Sequence, residues 1–252
     1  MRVRIFQVGA IVLLLSAWEL LPSKGVINPN FLPPLSETLK TLVALIVAKQ
    51  LQGHILISLK RIIYGLGIAL LVGYPLGLLM GWFRDFEKVV DAPLQAGRQI
   101  SALALFPVFI LVFGIGEFSK AVIIFWASFW PVLLNTIVGV KSIDPILIRS
   151  ARSMGARGLN LFANVIVPAS APSAFTGIRL GASYAFMVLV AAEMVGANRG
   201  LGFLVLNSQE TFKIPEMYAA IITLCLFGLI INHLLLALEH RATKWRQVRV
   251  GN

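Results

Sequence analysis

The chain has 252 residues, 58% of them hydrophobic and only 13% charged, with a mean hydropathy of +0.86. A soluble domain of this length cannot hide so much apolar surface, so the composition excludes an ordinary water-soluble globule and points to a chain built for lipid. The net charge of +11, from 22 basic and 11 acidic side chains, comes with no nucleic-acid motif and reads as basic flanks beside anionic lipid, with no nucleic-acid partner.

A helix needs about 20 apolar residues to cross a bilayer. Six runs qualify: residues 5–21, 57–83, 101–115, 118–140, 172–196 and 217–238. The first follows Arg2 and Arg4 as a signal peptide would, but "SAWELLPSK" offers no small-x-small cleavage site and predicts a retained span. Residues 35–51 are amphipathic and too short to span comfortably. Ser36 and Glu37 would start a helix there, lying on the membrane surface. The second span carries small residues four apart, Gly65, Ala69, Gly73, Gly77 and Gly81, which predicts close helix packing in lipid. The third is short and holds Pro107, so it is expected to be broken or tilted.

Between the fourth and fifth spans the apolar pattern is interrupted at residues 148–173. Asp144-Pro145 is a good helix start, because Asp caps and Pro suits the first turn. Ile148, Ala151 and Met154 then fall on one face, flanked by Arg149 and Arg152. Gly155 suits a left-handed terminator. A second short pattern follows, Leu159, Phe162, Val165 and Ile166, expected to end at Pro168, with Pro172 opening the fifth span. Two short helices presenting a knob of small and apolar side chains imply a socket on a partner.

The fifth span has its own small stripe, Ser173, Gly177, Gly181 and Ala185. It also carries Arg179 and Glu193, fourteen positions or about 21 Å apart, too far to pair. Each is expected to snorkel toward an end. Residues 196–216 form a partly apolar, glycine-rich connection to the last span. That span holds Cys225, the single cysteine, read as a small packed side chain and excluding an internal disulfide.

Basic residues orient the chain. With the N-terminus inside, thirteen flank the inner ends of spans and eight (Lys24, Lys40, Lys49, Lys60, Arg61, Lys120, Arg199, Lys213) the outer ends, with Arg179 within a span, making 22. Both termini are therefore expected to be cytoplasmic. No P-loop, zinc-binding spacing or nucleophile elbow occurs. A self-sufficient secondary transporter or channel would predict inverted repeats and paired mid-membrane charges, and a membrane enzyme clustered His, Asp or Glu at a span end; neither pattern is visible in the sequence.

The interruption resembles the cytoplasmic loop of permease subunits of binding-protein-dependent ABC importers, in the branch serving nitrate, sulfonates and taurine. The family pattern is E-A-A, three residues, G, nine residues, I-x-x-P. Ser150-Ala151 match the small pair, Gly155-Ala156 the glycine step, and Val165-Ile166-Val167-Pro168 the end. "FLPPLSETL", "GHILISLKRIIYGLGIALLVGYPLGLLMG", "LALFPVFILVFGIGEFSK" and "AAEMVGANRGLGFLV" extend the resemblance over essentially the whole chain. Arg149 departs from the pattern, standing where the family carries glutamate.

The resemblance implies an all-α membrane protein of the type I ABC importer permease fold: one transmembrane permease domain over residues 1–252, with an additional N-terminal span at about 5–21, core spans within about 57–238, and a coupling loop at 141–171. It implies an ATPase-coupling surface of Arg149, Ser150, Ala151, Arg152, Met154, Gly155, Ala156 and Pro168, with Pro107, Glu193 and Asn198 as gate or translocation-path candidates. No catalytic or metal-binding residue is implied. The chain would bind no cofactor, ATP and Mg belonging to two ABC ATPase subunits. Its other partners would be a second copy of itself, a periplasmic or extracellular substrate-binding protein, and the lipid of a bacterial inner membrane. The implied substrate is a small anion such as nitrate, taurine or an alkanesulfonate, with bicarbonate or a vitamin precursor also fitting.

Overall fold

A computed structural model of the chain describes residues 2–242. Lys244, Arg246 and Arg249, counted above among the inner charges, lie outside the described residues. Among the described residues the regular structure is entirely helical. In chain order the helices are α1 (Arg2–Ser23), α2 (Leu35–Val47), α3 (Gln50–Trp82), α4 (Arg84–Arg98), α5 (Ala102–Phe113), α6 (Glu117–Lys141), α7 (Pro145–Ser153), α8 (Gly158–Leu161), α9 (Val167–Met194), α10 (Leu201–Glu210) and α11 (Ile214–Ala242), with a π-helical turn, Phe162–Ile166, joining α8 to α9.

Among the described residues four helical stretches are long and apolar enough to cross a membrane: α3, α6, the continuous run Gly158–Met194, and α11. The expected third span is instead a twelve-residue helix, α5, bent by 93° from the preceding α4. Helix α4 was not anticipated. Its amphipathic first turn carries Asp85 and Glu87, its last turn Arg98, and none of its residues is buried. The apolar part of α1, Gly9–Ser23, is shorter than the four.

The chain forms two compact units. One comprises residues up to Ser58 with Glu193–Leu226; the other comprises Leu59–Ala192 with residues from Phe227 onward.

In the second unit α6 is the central helix, with thirteen of its 25 residues buried. Both small-residue stripes land on it. A Cβ at Gly77 would lie 2.7 Å from Thr136 Cβ and 2.9 Å from the Leu133 carbonyl; one at Gly177 would lie 2.7 Å from Asn135 Cβ and 2.8 Å from the Pro131 carbonyl. Backbones this close give the dispersion contacts that hold helices together where lipid supplies no hydrophobic drive. Buried Ser128 and Thr136 return their hydroxyl protons to the carbonyls of Ile124 and Val132 (2.8 and 2.7 Å), which lets polar residues sit inside the bundle. Outward-facing Leu71, Leu111 and Leu234 are exposed, as lipid-facing residues would be; Cys225, in the first unit, is exposed too, correcting its expected packing.

In the first unit Trp18 of α1 packs on Tyr218 of α11, ring centroids 5.9 Å apart, and donates its indole N–H to the Pro33 carbonyl at 3.1 Å. Ser36 does not cap α2. The boundary residue is Pro34, and Glu19 of α1 accepts both the Ser36 N–H (2.9 Å) and its hydroxyl (2.8 Å).

Candidate functional site

The interrupted stretch folds largely as its residues dictate. Asp144 Oδ1 accepts the Ile146 N–H at 2.8 Å and Pro145 occupies the first turn of α7. The helix closes with the Ala156 N–H on the Ala151 carbonyl and the Gly155 N–H on that of Arg152, both 3.0 Å. These paired bonds form a Schellman cap, and Gly155 supplies the required positive φ, +89°. Ile148 packs against a buried cluster of Leu78, Val140, Ile143 and Ile166, and Ala151 is buried beside it. Arg149, Ser150 and Arg152 face outward. Met154 does not share the Ile148–Ala151 face: it lies past the last helical turn and is 82% exposed, with Leu159 equally open at 80%. Beside them is a groove of about 510 Å³ lined by Trp82, Phe83, Arg152, Ala156 and Arg157, among others.

Pro168 does not terminate a second short helix, and Pro172 does not open a span. Both lie within the continuous helical run Gly158–Met194. The π turn at Phe162–Ile166, closed by the Val167 N–H on the Phe162 carbonyl, widens the backbone immediately before Pro168. That gives the pyrrolidine ring room against the preceding turn, where a regular helix would clash.

Glu193 does not snorkel. It is fully buried in the first unit, and its carboxylate accepts the Ser58 hydroxyl (2.7 and 3.0 Å to the two oxygens) and the Gly202 N–H (2.8 Å). Ser58 Oγ in turn accepts the Leu201 N–H at 3.0 Å. Two orphan donors at the start of α10 are thereby satisfied, Leu201 N–H by the Ser58 hydroxyl oxygen and Gly202 N–H by an anion placed where the helix dipole favours one. The Gly200 N–H donates to His54 Nδ1 at 3.0 Å, and the His54 ring stacks on Phe203. Asn198 is exposed in the turn before α10, and Pro107 is exposed on α5; neither joins the Glu193 cluster.

Ion pairs between distant residues are not legible in the sequence, and those of Arg61 and Arg179 bear on it most. Arg61, counted there as an outer charge, is 3% exposed and forms a two-pronged pair with Glu117 (Nε–Oε2 2.7 Å, Nη2–Oε1 2.5 Å). Arg179 meets Glu239 of α11 at 3.3 Å. The partners lie 56 and 60 positions apart, beyond the reach of any local pattern, and each pair has one partner at a helix end, Glu117 opening α6 and Glu239 in the last turn of α11.

Residues 73–244, which include the whole interrupted stretch, match the family described as "Binding-protein-dependent transport system inner membrane component". The chain is 36% identical over 233 residues to a Brucella abortus protein carrying the name of an ABC transporter permease, 92% of each chain being covered. It is 34% identical over 244 residues to the taurine transport system permease protein TauC of Escherichia coli, covering 95% of this chain and 89% of TauC. It is 31% identical over 238 residues to SsuC of Bacillus subtilis, named for aliphatic sulfonates transport, covering 94% of this chain and 86% of SsuC.

Proposed function

This chain belongs to the family of binding-protein-dependent transport system inner membrane components and is a permease subunit of an ABC importer, and we propose that α7 and the turn after it are where it receives the stroke of a separate ATPase. The carrying observation is the capped helix itself: Ile148 and Ala151 anchor it to the bundle, while Met154 and Leu159 stand bare beside Arg149 and Arg152. Large apolar side chains left in water beside cations suit an apolar socket with an acidic rim. A rigid, Schellman-capped element passes on displacement, where a floppy loop would absorb it. Of the residues expected to couple, Arg149, Ser150, Arg152, Met154 and Gly155 are exposed, which supports a partner-facing role; Ala151 and Ala156 accept and donate the cap bond, and Pro168 follows the π turn.

The assembly we envisage is two copies of this chain with two ATPases, ATP and Mg being held by the ATPases, and an external binding protein delivering substrate. It sits in a bacterial inner membrane with six crossings and both termini inside. α1 and the bent α4–α5 pair would supply the crossings beyond the four long helices, and α2 would lie at the surface. Two of the similar permeases are named for taurine and aliphatic sulfonates, so a small organosulfonate is the proposed cargo. The buried Glu193 cluster, a gate candidate, would hold the start of α10 in place.

The test is site-directed cross-linking. Met154→Cys and Leu159→Cys, in a complex copurified with its ATPase, should each cross-link to that subunit, with yields that change on ATP binding. A transport-active complex in which neither position reaches the ATPase would sink this reading.

A further inference from the structure

We infer that a cavity of about 540 Å³ in the second unit, where α4 turns into α5 against α6 and α9, is a binding site for a short-chain organic sulfonate within the permease. The inference rests on the importer reading above and adds a site to it. None of Pro107, Glu193 and Asn198 lines this cavity.

The lining is rich in donors. Arg98 ends α4, Trp126 and Trp130 stand one turn apart on α6, Asn135 follows on the same helix, and Tyr184 comes from α9. No Asp or Glu lines the cavity. Trp130 Nε1 is buried and finds no hydrogen-bond acceptor among the described residues. An indole N–H can only donate, and a buried donor without an acceptor is costly and calls for a ligand or ion to explain it. Trp126, by contrast, commits its N–H to the Ile100 carbonyl at 3.4 Å. Asn135 gives one amide proton to the Pro131 carbonyl at 2.8 Å and keeps its second proton. Arg98 has no carboxylate partner among the described residues. Cation and bare donors together select an anion with several acceptor oxygens.

The remaining surface sets the rest of the ligand. Three aromatic side chains and Met187 offer apolar walls, and a cavity of this size exceeds what a bare inorganic anion fills. Aromatic faces accept methylenes and attract an ammonium group, so both an alkanesulfonate and its amino derivative fit the same chemistry. Trp130 is held in place from behind, since a Cβ at Gly97 would lie 2.9 Å from its Cη2.

The test is direct binding to the permease–ATPase complex in nanodiscs, with no binding protein present. The probe is ³⁵S-labelled taurine in a scintillation-proximity assay, with ethanesulfonate, nitrate and sulfate as competitors. Wild type should bind saturably, with ethanesulfonate displacing the label and the inorganic anions failing to. Trp130→Phe, which keeps the ring and removes the N–H, and Arg98→Gln should each weaken binding about tenfold. Gly67→Ala, outside the cavity and at a position where a Cβ meets nothing within 4 Å, should leave it unchanged. Absence of saturable binding to wild type, or unchanged affinity in both Trp130→Phe and Arg98→Gln, overturns the site. Equal displacement by nitrate overturns the organic part of the assignment. Uptake of the same label by cells making the whole importer separates the two levels: uptake that depends on this chain without binding leaves the importer reading intact and removes the site.

Discussion

The carboxyl carbon of Glu193 lies 2.4 Å from where a side chain on Gly200 would begin, and both carboxylate oxygens lie 2.5 Å from that point. Gly200 also holds φ +130°, a region open to glycine and strained for any other residue. The carboxylate and the glycine therefore define one another: the start of α10 can accept a buried anion because its boundary residue has no side chain.

Gly200→Ala is expected to cost roughly 1–3 kcal/mol from backbone strain alone, with the displaced carboxylate adding to it. Glu193→Gln, nearly the same shape, presents an amide donor to a shell of donors and should cost about 1–3 kcal/mol. Thermal unfolding in nanodiscs, read beside transport, would check both. Wild-type melting by Gly200→Ala would contradict this account.

Gly155→Val should leave the protein inserted and folded but uncouple transport. A Cβ at Gly155 meets nothing within 4 Å, so crowding does not arise; the penalty is the positive φ, of order 1–2 kcal/mol for a β-branched residue. The Schellman bonds would open and Met154 would move. Stimulation of ATPase activity by loaded binding protein is the readout, and stimulation at the wild-type level would refute this role of the Gly155 cap.

Arg149→Glu should sharply weaken copurification of the ATPase, and Arg149→Ala less so. Arg149 is exposed here and stands where the family pattern carries glutamate, so the facing socket should offer an acid or free carbonyls. Losing one partner of a pair buried on docking costs roughly 3–5 kcal/mol, against about 0–1 for a pair left in water. An acid-to-lysine change in the socket should partly rescue the Glu variant. Normal assembly and transport by both variants would reduce Arg149 to a charge that orients the chain.

Gly177→Val should disrupt the bundle itself. Its Cβ would strike the Pro131 carbonyl, a backbone atom that cannot swing aside, and overpacking of this kind costs typically about 1–3 kcal/mol. Expected is a lower melting temperature and aggregation on gel filtration, with Gly67→Ala as a control because a Cβ at Gly67 meets nothing within 4 Å. Equal behaviour of the two variants would mean that the stripe does not pack as described.

The parts of this protein that were legible in its sequence are those set by near neighbours along the chain. Hydropathy marked the four long helices, because each must be apolar over about 20 consecutive residues. The α7 cap was legible because Asp144, Pro145 and Gly155 act within one turn of their own positions. The small stripes were legible as packing faces because residues four apart share a side of a helix, although that both would meet α6 was not. What the tertiary structure decided is everything that depends on distant partners. Arg61 looked like a misplaced outer charge until folding set Glu117 against it, and Arg179 found Glu239 on another helix. Glu193 looked like a side chain reaching for water, but the fold brings Ser58, from 135 positions away, and the start of α10 to its carboxylate. Pro168 looked like a stop signal, and a π turn carried the helix past it. The physical reason is the same throughout. Helix formation and capping are satisfied within a few residues, whereas a charge or donor withdrawn from water must find its partner wherever the fold delivers one, and no local spacing records where that is.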